Sequence, residues 1–244
     1  RADAFVHVVR AFDNPAVPFS QGSADPERDV SSMELELAFA DMSIVERRAA
    51  RVLRELKGAK PDERRSLLSE GELLSRIGSE LENGVPIHVQ NISPDERRSL
   101  NNFQFLTSKP VLEIVNVGEE QLGEVQAIEE RLRLQLGRPW RGFIVLCGTL
   151  EMELEEMSQD EESEFRAHMG AGPSALEQAI RASYELLDQV SFLTVGDDEV
   201  RAWTVPRNLP AVQAARKIHS DIERGFIRAE VIAYSDLMQC KNMT

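Results

Sequence analysis

Residues 26 to 82 set the tightest limit on what this chain can fold into. Apolar side chains recur there every three or four positions, through Leu35, Phe39, Met42, Val45, Ala49, Val52 and Leu56, which is the period of a helix with one apolar face. Asp25 before Pro26 supplies a capping carboxylate and a proline suited to the first helical position, so a helix is predicted over residues 26–57, ended by Gly58. A second run, Pro61 to Glu82, carries Leu67, Leu68, Leu74, Ile77 and Leu81 and stops at Asn83-Gly84. Two helices of this length joined by so short a turn are expected to pack antiparallel, as a hairpin arm. Such an arm is either plain scaffold or a docking surface.

Beyond the arm the period changes. Val111 to Val115 and Phe143 to Cys147 are apolar runs on either side of an amphipathic stretch, Glu120 to Leu136. Strand, helix, strand in that order predicts parallel strands covered on both faces, as in a doubly wound α/β sheet. Asp3 to Arg10 is predicted as a further buried strand, with Phe5, Val6, Val8 and Val9 packed together, before a breaker-rich loop from Asp13 to Pro26. Glu151 to His168 reads as one acidic helix and Pro173 to Leu187 as another, with Leu176, Ile180, Tyr184 and Leu187 on one side. Near Asp188 the texture turns β-rich. Strands are expected at 191–195, 200–205 and 227–233, with a helix at 211–218, which describes a separate small α+β module.

Charge narrows the partners. A net charge of -14 disfavours a uniformly nucleic-acid-binding surface. The acid is concentrated, however: Val111 to Ala167 holds 5 basic and 14 acidic residues, whereas Asp41 to Asn83 balances 9 against 9 and Ser191 to Thr244 balances 7 against 7. The two balanced regions are free to approach an anionic partner. The apolar runs are too short to cross a bilayer, and no secretory leader pattern is present, so neither a membrane span nor secretion is expected. Cys147 and Cys240 lie far apart with no CxxC spacing, which fits unpaired thiols in a reducing, cytoplasmic setting and supports no metal site.

The segment with the most chemistry is Asn116-Val117-Gly118-Glu119, at the C-terminal end of an apolar strand, where open α/β sheets bind ligands. In many P-loop GTPases the corresponding loop reads NKxD, and its acid accepts two hydrogen bonds from guanine. Adenine has no such donor pair, whereas an asparagine amide matches its N7 acceptor and N6 donor. Val117 and Glu119, in place of Lys and Asp, should therefore weaken a preference for guanine. Cys147-Gly148-Thr149, after the next strand, sits where such folds place a base-contacting turn. An ordinary strand-to-helix turn would also account for either segment taken alone.

The remaining candidates read as structural. His7 is expected to be a packed histidine, and His88 and His168 to face solvent. His219-Ser220-Asp221 resembles a triad only in composition, since consecutive residues do not converge as nucleophile, base and orienter; cap or turn chemistry is expected instead. Glu151, Glu153, Glu155 and Glu156 are expected to form a solvated helix face. Trp203 could stack on a base, but its place in an apolar strand points to the core.

Several segments in order resemble one family. His7 to Phe12 (HVVRAF), Asp25 to Asp29 (DPERD), Phe105 to Pro110 (FLTSKP), the NVGE loop, Val195 to Val205 (VGDDEVRAWTV) and Glu223 to Tyr234 (ERGFIRAEVIAY) are similar to YchF-type Obg-like ATPases, over essentially the whole chain. The resemblance implies a partial P-loop NTPase, or G domain, at residues 1–40 and 94–187. It also implies an inserted helical arm at 41–93 and an incomplete C-terminal β-grasp-like TGS domain at 188–244. It further implies that Asn116, Val117 and Glu119 contact adenine, with Gly148 lining the same pocket. For the full-length protein it implies binding and hydrolysis of ATP, more weakly GTP, with Mg²⁺. The implied partner is the ribosome, as large subunit or assembled particle, with RNA contact through the arm or the TGS domain. A cytoplasmic monomer is expected.

The chain departs from the family pattern as well. No G-x-x-x-x-G-K-[ST] occurs, and no glycine is followed by lysine. The phosphate cradle, its lysine and the hydroxyl on Mg²⁺ are therefore expected upstream of Arg1, and no catalytic or metal residue is assigned within the chain. The C-terminus is expected to fall short of the last TGS strands. Phe19 stands where many members have histidine, and Val212 and Arg216 where proline and glycine are usual. A non-catalytic ribosome- or RNA-binding module of arm plus TGS is the alternative, and a helical scaffold without nucleotide a third reading.

Overall fold

The computed structural model describes residues 2–17, 22–169, 172–196 and 198–240; Phe19 lies outside them. Two compact units divide the chain between Leu187 and Asp188. The first contains β1 (Phe5–Arg10), α1 (Pro26–Glu55), α2 (Pro61–Glu82), α3 (Pro94–Leu100) and β2 (Val111–Asn116). It continues with α4 (Val125–Leu136), β3 (Arg141–Leu146), α5 (Gly148–Glu155), α6 (Gln159–Met169) and α7 (Ala175–Leu186).

The three strands pair in parallel in the order β1-β2-β3, with Arg10, Asn116 and Leu146 in register at their C-terminal ends. Side chains alternate across the sheet. One face presents Val9, Val115 and Val145 to a core shared with Val30 of α1 and with Ile128 and Leu132 of α4. On the other face α7 packs over β2 and β3, and Leu112 and Ile144 are buried. That face of β1 stays open, with Val6 and Val8 exposed by 58% and 64%. The expected burial of β1 thus holds on one side only, because α7 reaches two strands and not the third. Leu176 and Ile180, expected together on one side of α7, are exposed as well.

The apolar run of β2 is interrupted by Glu113, which is nonetheless buried. Neighbouring strands pay for this: His7 Nδ1 lies 2.7 Å from its carboxylate and Arg141 Nε 3.7 Å away, while Arg141 also meets Glu34 of α1 at 2.9 Å. A buried charge persists only with such partners. His7 is therefore a half-buried hydrogen-bonding partner of Glu113.

Pro26 opens α1, and Asp25 caps it by accepting from the Arg28 amide at 3.0 Å. At 1.5 Å per residue its 30 residues span about 45 Å, running unbroken from the sheet into the arm. Along the arm Val45 and Val52 face Gly78 and Gly71 of α2, where an added Cβ would lie 3.5 and 3.6 Å from the valine methyls. The glycines let the helices approach closely, and Leu74, Ile77 and Leu81 fill the seam. Arg48 bridges it with two 2.7 Å bonds to Glu70. The single apolar face expected for α1 is in fact two stripes: Val45 and Val52 are buried, while Leu35 and Phe39 are exposed by 56% and 62%.

At the base of the arm, fully buried Asp41 accepts from the amides of Leu106 and Thr107 at 2.8 and 2.7 Å and from the Thr107 hydroxyl at 2.7 Å. Thr107 in turn receives the Ile87 and His88 amides through its hydroxyl and carbonyl. This knot ties α1 to the segment that leads back into β2. His88 is part of it, with Nδ1 3.2 Å from the Ser108 carbonyl, rather than facing solvent freely.

Two helix expectations need correction. Residues 119–124 form a 3-10 turn before α4 begins. The acidic stretch breaks into α5 and α6, and Glu151 is not part of a solvated face. Arg166 grips it with bonds of 3.0 and 2.7 Å, and it accepts the Ala175 amide at 2.8 Å. Burial alone would raise the Glu151 carboxyl, but these hydrogen bonds and the Arg166 charge outweigh it and hold the group below the usual range.

The second unit holds an antiparallel pair, β4 (Gln189–Val195) and β5 (Val200–Pro206), followed by α8 (Ala211–Ile218), α9 (Ser220–Arg224) and α10 (Tyr234–Cys240). Trp203 is half-buried rather than core: its Nε1 donates to Thr194 Oγ1 at 2.9 Å, and the Arg201 guanidinium stands 4.3 Å over its ring. His219 caps α9 by accepting the Asp221 amide, which is the cap chemistry expected. Of the unusual residues, Val212 is exposed and Arg216 approaches Glu223 at 3.6 Å. The strand expected at 227–233 does not form, and Ile227 and Val231 are exposed by 91% and 89%. A strand needs a neighbouring edge to take its N–H and C=O groups, and among the described residues none pairs with this segment.

Candidate functional site

The parallel sheet brings three chain ends to one edge. After β1 the pairing carries on for one more residue, the Ala11 amide donating to the Asn116 carbonyl at 2.7 Å. The Arg10 guanidinium gathers the following loop by donating to the carbonyls of Phe12, Val17 and Asn14. After β2 come Asn116 to Glu119, and after β3 come Cys147 and Gly148.

Asn116 and Gly148, 32 residues apart in sequence, are brought together there. The Asn116 Oδ1 accepts the Gly148 amide at 2.8 Å. A Cβ at position 148 would come within 3.2 Å of both terminal atoms of the Asn116 amide. Glycine therefore lets the second loop close on the asparagine. This bond bears on the expected chemistry of Asn116. Its oxygen already accepts one bond from the protein, and Nδ2 has no protein partner among the described residues, so the donor is the more available half of the amide.

Val117 and Glu119 are placed differently. Val117 is buried in the core against the sheet, and its amide donates to the Leu146 carbonyl at 2.9 Å, so its side chain points away from any ligand at the edge. Any contact from position 117 would come from its main chain. Glu119 opens the 3-10 turn, exposed and without an ion pair among the described residues. Gln121 Oε1 accepts the Gly118 amide at 3.0 Å and fixes the turn. The edge thus offers an amide N–H₂, a free carboxylate and a close-approaching glycine backbone, a set suited to the rim of a planar polar ring. Among the described residues no three His, Cys, Asp or Glu side chains converge in a way that could hold a metal ion.

Comparison with known proteins decides the family. The "Ribosome-binding ATPase YchF" of Bacillus subtilis (strain 168) is 36% identical over 240 residues, covering 98% of this chain and 64% of the relative. The protein of the same name from Escherichia coli O157:H7 is 34% identical over 239 residues, with the same coverage of 98% and 64%. A solved structure, that of the Schizosaccharomyces pombe YchF GTPase, superposes with a TM-score of 0.79 at 29% identity, covering 98% of this chain and 65% of that one. Residues 189–244 match the family model YchF-GTPase_C, described as a protein of unknown function (DUF933).

The chain belongs to the YchF family.

It spans about 64% of the length of the curated YchF relatives it matches. The YchF likeness extends through both compact units, and the segments that carried the resemblance occupy defined places in them. FLTSKP forms the knot on Asp41, and NVGE forms the sheet edge. Asp41, Glu113 and Arg141 were not singled out from the sequence. An acidic residue inside an apolar helical stripe, or inside an apolar strand, is the signal that could have found the first two. No helix among the described residues is long and apolar enough to cross a membrane.

Proposed function

We propose that this chain supplies the base-binding edge and the ribosome-facing arm of a nucleotide-hydrolysing YchF protein. The contact between Asn116 and Gly148 supports the reading, because it brings two loops together at the C-terminal edge of a parallel sheet, where open α/β sheets bind ligands. Phosphates and Mg²⁺ would be held by residues outside this sequence, and the metal would there neutralise charge on the transferred phosphoryl group. Within the chain, Asn116 Nδ2 would donate to N7 of the base while the Gly148 backbone lines one side of it.

N7 is an acceptor in adenine and in guanine alike, so a single donor there cannot choose between them. Base choice falls instead on position 119. In a protein lengthened upstream by a phosphate-binding segment, Asn116→Ala should weaken ATP and GTP together by about tenfold, the low end of the ~1–3 kcal/mol expected for a base contact. Glu119→Asp should shift preference toward GTP, with the missing lysine at Val117 limiting the gain. Calorimetric titration with both nucleotides tests this. Unaltered binding in the Asn116 variant would remove the site.

The ribosome reading rests on the names of the relatives and on the outer face of α1. Arg51 there pairs with Glu55 at 2.8 Å, and Arg48 is committed to Glu70, but Arg47 and Arg54 have no carboxylate partner among the described residues. Replacing Arg47 and Arg54 by glutamine should weaken co-sedimentation with ribosomes and flatten its salt dependence by up to two phosphate contacts. An unchanged salt slope would move the docking surface off the arm.

A further inference from the structure

The arm carries a second helical seam that α2 covers only at its edge. On α1 the positions Leu35, Phe39, Met42, Glu46, Ala49 and Leu53 follow one another at alternating spacings of four and three, the heptad pattern of a coiled-coil interface. This stripe borders the one that packs on α2 through Val45 and Val52: Met42 and Ala49 touch that core from its edge, and Leu35, Phe39 and Leu53 lie beyond it. It stands open along the arm, with Leu53 exposed by 66% in addition to Leu35 and Phe39.

Across from it the middle of α2 contributes small residues, Gly71, Ser75, Gly78 and Ser79, with the larger Leu67 and Leu68 towards the tip of the arm. Between the large side chains of α1 and the small ones of α2 runs a groove, formed by hollows of about 580 and 640 Å³ that meet at Glu82. Large residues on one wall and small ones on the other leave the space that a third helix takes in a three-helix coiled coil.

Charge indicates which helix. Glu34, which Arg141 already pairs, and Glu46, Glu72 and Glu82 line the groove, against the single lining cation Arg138 at its base. The arm as a whole balances 9 basic against 9 acidic residues. Its arginines 47, 51 and 54 lie on a face of α1 turned about 120° from the open seam, at 100° per residue. Glu46, Glu72 and Glu82 of the arm thus face the groove and none of its arginines does, while Arg47 and Arg54 stand on the outer face. Two copies of the chain meeting groove to groove would set acidic rims against each other, which opposes self-association. RNA is opposed for the same reason.

We propose that this groove binds an amphipathic helix of a partner protein, one with an apolar heptad stripe flanked by lysine or arginine. The proposal is independent of the nucleotide-binding reading and of the arginine face. Phe39 and Leu53 would enter the partner's apolar stripe, and Glu46 and Glu72 would meet its basic flank.

The probe is a fluorescent synthetic three-heptad helix with leucine at the core positions and lysine beside them, measured by anisotropy with the whole chain at about physiological salt. It is expected to bind saturably, at least tenfold more tightly than a version with glutamate in place of lysine and than a scrambled peptide of the same charge. Phe39→Glu with Leu53→Glu should weaken it at least tenfold, and so should Ser75→Phe, which fills the groove from an exposed position without changing charge. Arg47→Gln with Arg54→Gln should leave it unchanged. Equal binding of the scrambled peptide, indifference to Ser75→Phe, or loss through the arginine variant would each overturn the proposal. Sedimentation showing a dimer that the Phe39 and Leu53 changes dissolve would overturn it in favour of a second copy. An RNA duplex that displaces the peptide and is lost in the Ser75 variant would overturn it in favour of RNA.

Discussion

Incubated with ATP or GTP and Mg²⁺, the 244-residue chain should release phosphate no faster than the uncatalysed background. Phosphoryl transfer gains its rate from holding phosphates, metal and attacking water in line, and well-placed groups can contribute about 7–11 kcal/mol through positioning alone. The residues that would do this form a G-x-x-x-x-G-K-[ST] loop, and the sequence contains none. What the sheet edge supplies, the Asn116 amide and the Gly148 backbone, would on the proposed reading orient a base and reach no phosphate. Lengthened upstream by such a loop, the protein should turn ATP over, and adding Asn116→Ala should then lower turnover at subsaturating ATP more than at saturation. Clear phosphate release by the 244 residues alone would show that the catalytic groups lie within them.

The largest effect on stability should come from Asp41→Ala. Asp41 is fully buried and satisfies three donors, the Leu106 and Thr107 amides and the Thr107 hydroxyl. Removing it strands donors in the interior, each at a cost of about 1–3 kcal/mol. The total should approach about 3–5 kcal/mol, a large share of the ~5–15 kcal/mol that stabilises a typical domain. Asp41→Asn should recover little of this, since its NH₂ group would face an amide donor. Urea unfolding followed by circular dichroism reads the loss, and hydrogen exchange at Leu106 and Thr107 should rise first, because the knot opens before the sheet. An unfolding free energy within about 1 kcal/mol of the parent would show that α1 is held to the sheet by packing alone.

Local rules carried much of the fold into view. Asp25-Pro26, Gly58 and Asn83-Gly84 punctuate the arm where the sequence says they should, since caps and breakers act within a turn of themselves. The parallel strands announced themselves as apolar runs, and Asn116 and Gly148 could be singled out because they follow such runs directly. The buried acids were less legible. Glu113 is tolerable only because His7 and Arg141 arrive from two other strands, and Asp41 only because residues 106 and 107 return to it from 65 and 66 positions away.

By itself, then, the sequence determined the period, the ends and the apolar content of each element, because these depend on neighbours three or four residues apart along a helix or two along a strand. The tertiary structure alone decided which surfaces meet. On α1 two apolar stripes share one helical period, and only the approach of Gly71 and Gly78 selects Val45 and Val52 for burial and leaves Leu35, Phe39 and Leu53 open. On β1 the same kind of choice leaves Val6 and Val8 uncovered because α7 lies over β2 and β3, and Ile227 to Ala233 fails to become a strand for want of a paired edge. Pairing and burial are contacts between distant segments, and their free energy exists only once a partner is in place.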